Sequence, residues 1–492
     1  MLSWPLLEEM GAQLGSFATA ATSTAILATT AGAEAVKGLE AETASAVQQS
    51  LDAIPYQQRL LFIGVVFIGT LAISRFSVKV GIPAILGVLL LGLSINITTL
   101  KITHSQAENF HVLCLALLLF YAGLKTDLIA IRGFLKYGIL LAVGGVLASS
   151  LLLGGFIWWL SFATTDQFNL GISSMPFGAA LLTAACLGST DAGATLSVLR
   201  NIQNKVPERL RHLLEFESSV NDPSALLFYG LVVGLFVTTG SGMGTISLQA
   251  TALNELRKFV QQVSGGLLLG FIFGYLAIFV INHLVTERSQ LLIVAVSIAF
   301  VVYGTAFYMG GSGLIAIYIC GLFLTNMSYR LPDITHVTLQ EVLLPFNTMT
   351  EISVFLVFGL LVNPADLVHS LPAGLLTALG LMLIARPLSV LIFQSQSPFS
   401  FRETLLVSWC GLRGAVPLAL SYELVVAIPR LRGIDAALLQ PLAHDCQSII
   451  FIVVVVNLLL QGLTLPLFCR FLNLSSDPAD HPNPNPNTAQ PG

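Results

Sequence analysis

The chain is dominated by apolar runs that are long enough to cross a membrane. A transmembrane helix needs about 20 mostly apolar residues, and thirteen stretches qualify, some only by including polar residues. Their approximate cores are 60–74, 82–97, 110–124, 137–160, 177–199, 213–238, 260–282, 290–308, 312–327, 343–362, 372–393, 404–428 and 447–469. Only 10% of the 492 residues are charged, against about 25% in a soluble domain. The sequence therefore predicts an all-α polytopic membrane protein with about thirteen transmembrane helices.

The basic residues indicate how these spans are oriented, because Lys and Arg concentrate in short cytoplasmic loops. Thirteen of the 22 basic residues fall on one side of the alternating spans and seven on the other. This count places the C-terminus in the cytoplasm, and the plasma (inner) membrane is the predicted location, with an internal membrane as the alternative. We predict a transmembrane domain over 58–470, a proline-rich, disordered cytoplasmic tail over 471–492, and an N-terminal segment, 1–57, that is either a signal or a weak extra helix.

Composition also excludes several classes of protein. The net charge of −4 and the lack of a Lys/Arg cluster argue against a nucleic acid partner. The six cysteines form no CxxC motif, and the sequence has no HExxH motif, so we predict no cofactor, no transition metal site and no enzymatic activity.

Two pairs of apolar segments resemble each other in the same order along the chain. "LFYAGLKTDL" (119–128) matches "FLVFGLLVNPADL" (355–367), and "IPAILGVLLLGL" (82–93) matches "GLIAIYICGLFL" (313–324). If the seventh span is a connector, the two six-helix halves have opposite orientations, and such inverted repeats are typical of secondary transporters. The alternative is chance similarity between Leu- and Gly-rich helices.

Charges inside the apolar runs are candidates for function, since each costs at least ~2.5 kcal/mol at the bilayer centre. They are Asp191, Glu215, Glu217, Asp222, Glu351, Arg386, Arg413 and Glu423. We interpret Glu351 and Glu423 as structural residues near a cavity wall or an interface. Glu215 is left out of the site because it falls at the membrane border.

The sixth span carries the densest group of polar residues. Glu217 and Asn221 share one helix face at i, i+4, and so do Ser218 and Asp222. Pro223 cannot donate a hydrogen bond to the carbonyl four residues earlier, which leaves that oxygen available. Hard oxygen ligands of this kind suit a small alkali cation, Na⁺ or K⁺.

The fifth and twelfth spans contain the small residues that allow a membrane helix to unwind where it lines a cavity. In "CLGSTDAGATLS" (186–197), Asp191 and the carbonyl of Thr190 are expected neighbours of Asp222. In "WCGLRGAVPLAL" (409–420), Gly411, Gly414 and Pro417 indicate a second break. The positive charge of Arg413 at this second break needs a carboxylate partner, and Glu217 is the predicted partner.

These three motifs resemble the monovalent cation:proton antiporters of the NhaP type, the family that includes animal sodium/proton exchangers. The resemblance covers about residues 58–470 and rests on "STD" (189–191), "FESSVNDPSA" (216–225) and "GLRGAVPLAL" (411–420). It implies a homodimer, thirteen helices per chain in two inverted repeats, and unwound fifth and twelfth helices that cross. It also implies one alkali cation exchanged for one proton, because this branch has Asn-Asp where electrogenic relatives have Asp-Asp.

The resemblance also implies residue roles. The residues expected to bind the alkali cation and the proton are Asp222, Asp191, Thr190, Ser218 and Glu217. Asn221 and Arg413 are expected to hold Glu217, and Arg386 to steady the crossed helix ends; for Glu217 and Arg413 a structural ion pair is the alternative to direct coordination.

The cation itself is left open by one departure from the family pattern. The usual "GESLxND" reads "FESSVNDPS" here, closer to a bacterial subgroup resembling potassium/proton exchangers. Na⁺ is the first prediction, with K⁺ or Li⁺ as alternatives. A cation channel or uniporter is the rival function.

Overall fold

The structure is a computed structural model. It describes residues 56–80, 83–95, 104–163, 175–199, 206–237, 248–330, 336–431 and 436–472. The predicted N-terminal segment up to residue 55 and the predicted tail from residue 473 lie outside the described residues. The chain divides into two compact units, Met1–Gly69 and Thr70–Gly492. The described part of the first unit is helical, and everything below concerns the second.

The described residues are almost entirely helical, apart from one isolated bridge between Val237 and Leu431. The helices are α1 (Tyr56–Val80), α2 (Ala84–Ile95), α3 (His104–Lys125), α4 (Leu128–Ile131), α5 (Leu135–Ile139), α6 (Gly145–Ala163), α7 (Phe177–Cys186), α8 (Ala192–Leu199), α9 (Glu208–Phe236), α10 (Leu248–Leu284), α11 (Gln290–Tyr308), α12 (Gly313–Asn326), α13 (His336–Leu361), α14 (Pro364–Gly380), α15 (Arg386–Leu391), α16 (Phe401–Trp409), α17 (Ala415–Ala427) and α18 (Ala436–Leu472). Short 3₁₀ turns lie at Gln394–Gln396 and Ile428–Arg430.

Each predicted span coincides with one of these helices or with two or three consecutive ones. Seven helical stretches of the described chain are individually long and apolar enough to cross a membrane. The all-α, multi-pass prediction is therefore confirmed, whereas the count of thirteen crossings stays a prediction.

The helices pack as two groups. The first helix group contains α2, α3 and α10–α13, and the second contains α5–α9 and α14–α18. The two groups are in contact along α9, which packs against α10 and α3, and along α17, which packs against α3 and α13. The polar residues of the fifth, sixth and twelfth spans all belong to the second group.

Two glycine pairs bring backbones together within the first helix group. A Cβ on Gly123 of α3 would collide with the backbone of α12 at Tyr318 and Leu322 and would press on Gly321, and one on Gly321 would collide with α3. In the same way Gly92 of α2 and Gly359 of α13 face each other. Small residues allow this close approach between membrane helices.

Two short π-helical turns interrupt spans of the second helix group. Leu140–Gly144 lies between α5 and α6, and Leu381–Ala385 lies between α14 and α15. Such turns are rare in proteins, and those that occur often lie at functional sites. The second one places Arg386 directly after it, facing α9.

Candidate functional site

Two helices of the second helix group are interrupted, and their interruptions meet. The first break (Leu187–Asp191) separates α7 from α8, and the second break (Cys410–Gly414) separates α16 from α17. The backbone N–H of Asp191 donates a hydrogen bond of 2.7 Å to the carbonyl of Leu412. Both interruptions predicted from the glycine-rich motifs are confirmed.

Asp191 lies at the junction of the two breaks. Its Oδ1 accepts a hydrogen bond of 3.0 Å from the backbone N–H of Ala194 and so caps α8. Its other carboxylate oxygen lies against Gly414, where a Cβ would collide with it. A side chain at position 414 is therefore incompatible with this place for the carboxylate.

Arg413 ties the second break to the first. The side chain is fully buried, and Nη1 donates to the carbonyls of Gly188, at 3.0 Å, and Ser189, at 2.6 Å. These carbonyls follow the C-terminal end of α7, where helix carbonyls lack intrahelical donors and a positive charge is favourable. The predicted pairing of Arg413 with Glu217 is wrong, because Glu217 pairs with another arginine and the hydrogen bonds of Arg413 go to these carbonyls through Nη1. The Nε and Nη2 atoms of Arg413 are buried without a hydrogen-bond partner among the described residues.

Glu217 pairs instead with Arg386. The Arg386 Nη2 atom lies 2.7 Å from Oε1 and 3.0 Å from Oε2 of Glu217, and the two side chains are only 4% and 1% exposed. The predicted roles of the two arginines are thus exchanged: Arg386 holds Glu217, and Arg413 steadies the helix ends. Arg386 is the first residue of α15 and reaches this carboxylate, whereas Arg413 lies in the second break and reaches the carbonyls of the first.

Asn221 holds the first break to α9. Its Nδ2 donates to Oγ1 of Thr190 at 2.6 Å, and the backbone N–H of Thr190 donates to its Oδ1 at 3.3 Å. The prediction that Asn221 holds Glu217 is wrong, because the amide uses both of its ends on Thr190. The Thr190 hydroxyl also lies 3.1 Å from the hydroxyl of Ser218.

Four of the five predicted ion-binding residues line one cavity of about 300 Å³. They are Asp222, Asp191, Thr190 and Ser218. Both carboxyl groups are half-buried, and α9 continues through Pro223, which has no N–H to donate within the helix. Glu217 does not belong to the lining, since its carboxylate is turned to Arg386.

A family model described as "Sodium/hydrogen exchanger, transmembrane" matches residues 60–471, most of the chain. The chain belongs to the sodium/hydrogen exchanger family. The resemblance inferred from the three motifs is confirmed.

Several curated relatives of this exchanger family are named antiporters. The chain is 32% identical over 422 residues to the K(+)/H(+) antiporter NhaP2 of Shewanella sp. (strain MR-4), covering 83% of this chain and 66% of the relative's length. It is 30% identical over 423 residues to the K(+)/H(+) antiporter NhaP of Alkalimonas amylolytica, with 84% and 67% covered. It is 26% identical over 413 residues to the Na(+)/H(+) antiporter NhaS2 of Synechocystis sp., with 80% and 67% covered. The chain thus spans about two thirds of the length of these antiporters.

The fold resembles that of a solved sodium proton antiporter. The structure of the sodium proton antiporter MjNhaP1 from Methanocaldococcus jannaschii at pH 8 superimposes with a TM-score of 0.70 at 20% identity. The superposition covers 85% of this chain and 99% of that one. The exchanger fold is therefore present over most of the chain.

Some residues that line this cavity were not predicted as members of the ion site. Glu351 of α13, Lys125 of α3, and Arg211 and Glu215 of α9 also line the cavity. Each is a charge inside or next to an apolar run, so the signal was present in the sequence. It did not show which charges turn toward the same space.

A further polar residue, Asn457 of α18, holds the second break. Its Oδ1 accepts a hydrogen bond of 2.8 Å from the backbone N–H of Arg413, and its Nδ2 donates to Gln461 at 2.8 Å. Two amide side chains at i, i+4 in an apolar helix were the available sequence signal.

Proposed function

We propose that the protein is a secondary transporter that exchanges one alkali cation for one proton, with Asp222 as the shared binding site. The observation that supports this most directly is the cavity at the two breaks, where the carboxyl groups of Asp222 and Asp191 lie beside the hydroxyls of Ser218 and Thr190. These are hard oxygen ligands without His or Cys, as alkali cations prefer.

Competition for one carboxylate accounts for obligatory exchange. An uncompensated charge in a low-dielectric site is costly. Asp222 therefore holds either a proton or a cation whenever the site changes its access from one side of the membrane to the other. The preceding residue, Asn221, is neutral, and its amide is hydrogen-bonded to Thr190. The second helix group therefore has the same net charge whether it carries a cation or a proton. The exchange is electroneutral, with one cation for one proton.

Glu217 has a structural role in this proposal. Its carboxylate is compensated by Arg386 in a buried ion pair, and it is separated from the cavity lining. We therefore assign cation binding to Asp222, Asp191, Thr190 and Ser218, with Glu217 and Arg386 fixing the position of α9.

The transported cation is Na⁺ in our first assignment, with Li⁺ as an alternative ion at the same site. K⁺ is the second candidate, because the relatives from Shewanella and Alkalimonas are named K(+)/H(+) antiporters. The family and the site chemistry are common to both ions.

We propose that the chain contains two inverted repeats of six helices around a seventh, connecting helix. The repeat predicted from the sequence equates Gly92 with Gly321 and Gly123 with Gly359. Under this correspondence, the close contact between Gly123 and Gly321 in one place is equivalent to the close contact between Gly359 and Gly92 in the other. The two π-helical turns and the two breaks also fall in corresponding spans, as expected for alternating access by repeats of opposite orientation.

We propose that the cavity opens to the cytoplasm. Lys125, at the end of α3, and Arg211, near the start of α9, line it, and both belong to the side of the membrane that has more basic residues. The same orientation puts the C-terminus in the cytoplasm. We propose the plasma membrane as the location of the protein. The transporter domain is 58–470, and the functional unit is a homodimer in the lipid bilayer.

The test is ion exchange by purified protein in proteoliposomes. A preset proton gradient is followed by a pH-sensitive dye while the chloride of Na⁺, K⁺ or Li⁺ is added. The wild type is expected to dissipate the gradient, and Asp222→Asn is expected to abolish exchange while eluting as a folded dimer. Cation flux without opposing proton flux would indicate a channel or uniporter, and normal pH-dependent exchange by Asp222→Asn would refute the assignment.

A further inference from the structure

Glu351 reaches the cavity from the opposite group of helices. Asp191 and Asp222 belong to the second helix group, whereas Glu351 is on α13 of the first. A Cβ built on Gly193 would lie 3.1 Å from Oδ1 of Asp191 and 3.2 Å from Oε1 of Glu351. The two carboxylate oxygens are therefore at most about 6.3 Å apart, with glycine between them.

This upper limit is compatible with one cation between the two oxygens. Oxygen ligands stand about 2.3 to 2.6 Å from an ion of the size of Ca²⁺, which Na⁺ matches, so two oxygens across one ion are roughly 5 Å apart. A larger residue at position 193 would fill the space between Glu351 and Asp191.

One turn earlier on α13, Asn347 offers a second oxygen. Asn347 and Glu351 share a helix face at i, i+4, and both line the cavity. The Oδ1 atom of Asn347 is buried and has no hydrogen-bond partner among the described residues. A buried acceptor without a donor is costly, and a cation would satisfy it.

We propose that Glu351, assisted by Asn347, is an additional cation ligand that acts only in the conformation described here, so that it sets the cation affinity at one face of the membrane. The inference rests on the proposed function. Alternating access requires the two helix groups to move relative to each other, and this separates Glu351 from Asp191 and Asp222. The cation then keeps the ligands of the second group and loses those of the first.

A ligand that exists in one state alone shifts affinity in that state alone. Glu351→Gln is expected to raise the half-saturating cation concentration about three- to tenfold at one face. At the other face the change should stay below about twofold, and the maximal exchange rate should not fall. Glu351→Asp, which keeps the charge on a shorter side chain, should lie between the wild type and Glu351→Gln.

The experiment measures initial cation uptake against Na⁺ and K⁺ concentration in everted and in right-side-out vesicles. Everted vesicles expose the proposed cytoplasmic face, and the shift is expected there. Glu341→Gln is the matched control, since it removes the same charge from an exposed position of α13 and should leave both faces unchanged. Size-exclusion elution of each variant verifies folding.

The outcomes separate this inference from the proposed function. Equal shifts at both faces, no shift at either face, or loss of maximal rate in folded Glu351→Gln would each overturn the role of Glu351 while wild-type exchange still stood. Exchange by Asp222→Asn in the same vesicles would overturn the proposed function instead.

Discussion

The two interrupted helices share a backbone design but carry opposite charges. The first break presents Asp191 and Thr190 to the cavity, whereas the second presents Arg413, which is fully buried and turned to backbone carbonyls. One break is therefore suited to bind an exchangeable ion, and the other holds a permanent charge that keeps the crossing in place. A charge at a helix break therefore indicates a function only when its partners are known.

The largest expected effect concerns which arginine compensates Glu217. Removing one partner of a buried ion pair costs about 3 to 5 kcal/mol, so Glu217→Ala and Arg386→Ala should each lower the free energy of unfolding by this amount. Double-mutant cycles measured by denaturant unfolding in detergent should give a large coupling energy for Glu217 with Arg386. If Glu217 couples more strongly to Arg413, the assignment of the two arginines is wrong.

The next largest effect is expected at the first break, where the role of the Asp191 carboxylate in ion binding can be tested. Asp191→Asn keeps an oxygen that can cap α8 but removes the charge from the cavity, and exchange should fall by roughly 100-fold. The control is Asp127→Asn, because Asp127 caps α4 in the same manner but lies outside the cavity lining. Equal losses in both variants would assign the effect to capping and remove Asp191 from the ion site.

The third effect concerns the contact between the breaks. A Cβ at position 414 would lie 2.7 Å from Cβ of Asp191, so Gly414→Ala should displace the carboxylate and lower the exchange rate by about tenfold. Gly230→Ala is the control in α9, where an added Cβ meets no atom within 4 Å. Unaltered kinetics in Gly414→Ala would show that the two breaks are not tightly packed.

The smallest effect is expected from the hydrogen bond by which Asn457 holds the second break. Asn457→Leu removes the acceptor of the Arg413 backbone N–H, and an unsatisfied buried donor costs about 1 to 3 kcal/mol. The free energy of unfolding should fall by this amount, while the half-saturating cation concentration stays unchanged. A change in cation affinity without a loss of stability would mean that the second break also contributes to binding.

The sequence predicted the elements of the site better than their pairings. Glycines and charges within apolar runs located both breaks, and the i, i+4 spacing placed Ser218 and Asp222 on one face. The partners of Arg386 and Arg413 depend on how α15 and the second break approach α9. Helical periodicity tells which face a residue occupies but not which of two arginines at similar depth comes within 3 Å of a carboxylate.

Binding of either ion to one carboxylate can be tested by the cation dependence of exchange at a series of acidic pH values. Proton and cation competing for Asp222 predict that the half-saturating cation concentration rises by about tenfold per unit of pH decrease once protonation dominates, at constant maximal rate. A half-saturating concentration independent of pH, with a maximal rate that falls on acidification, would show that the two ions occupy separate sites and would contradict the account.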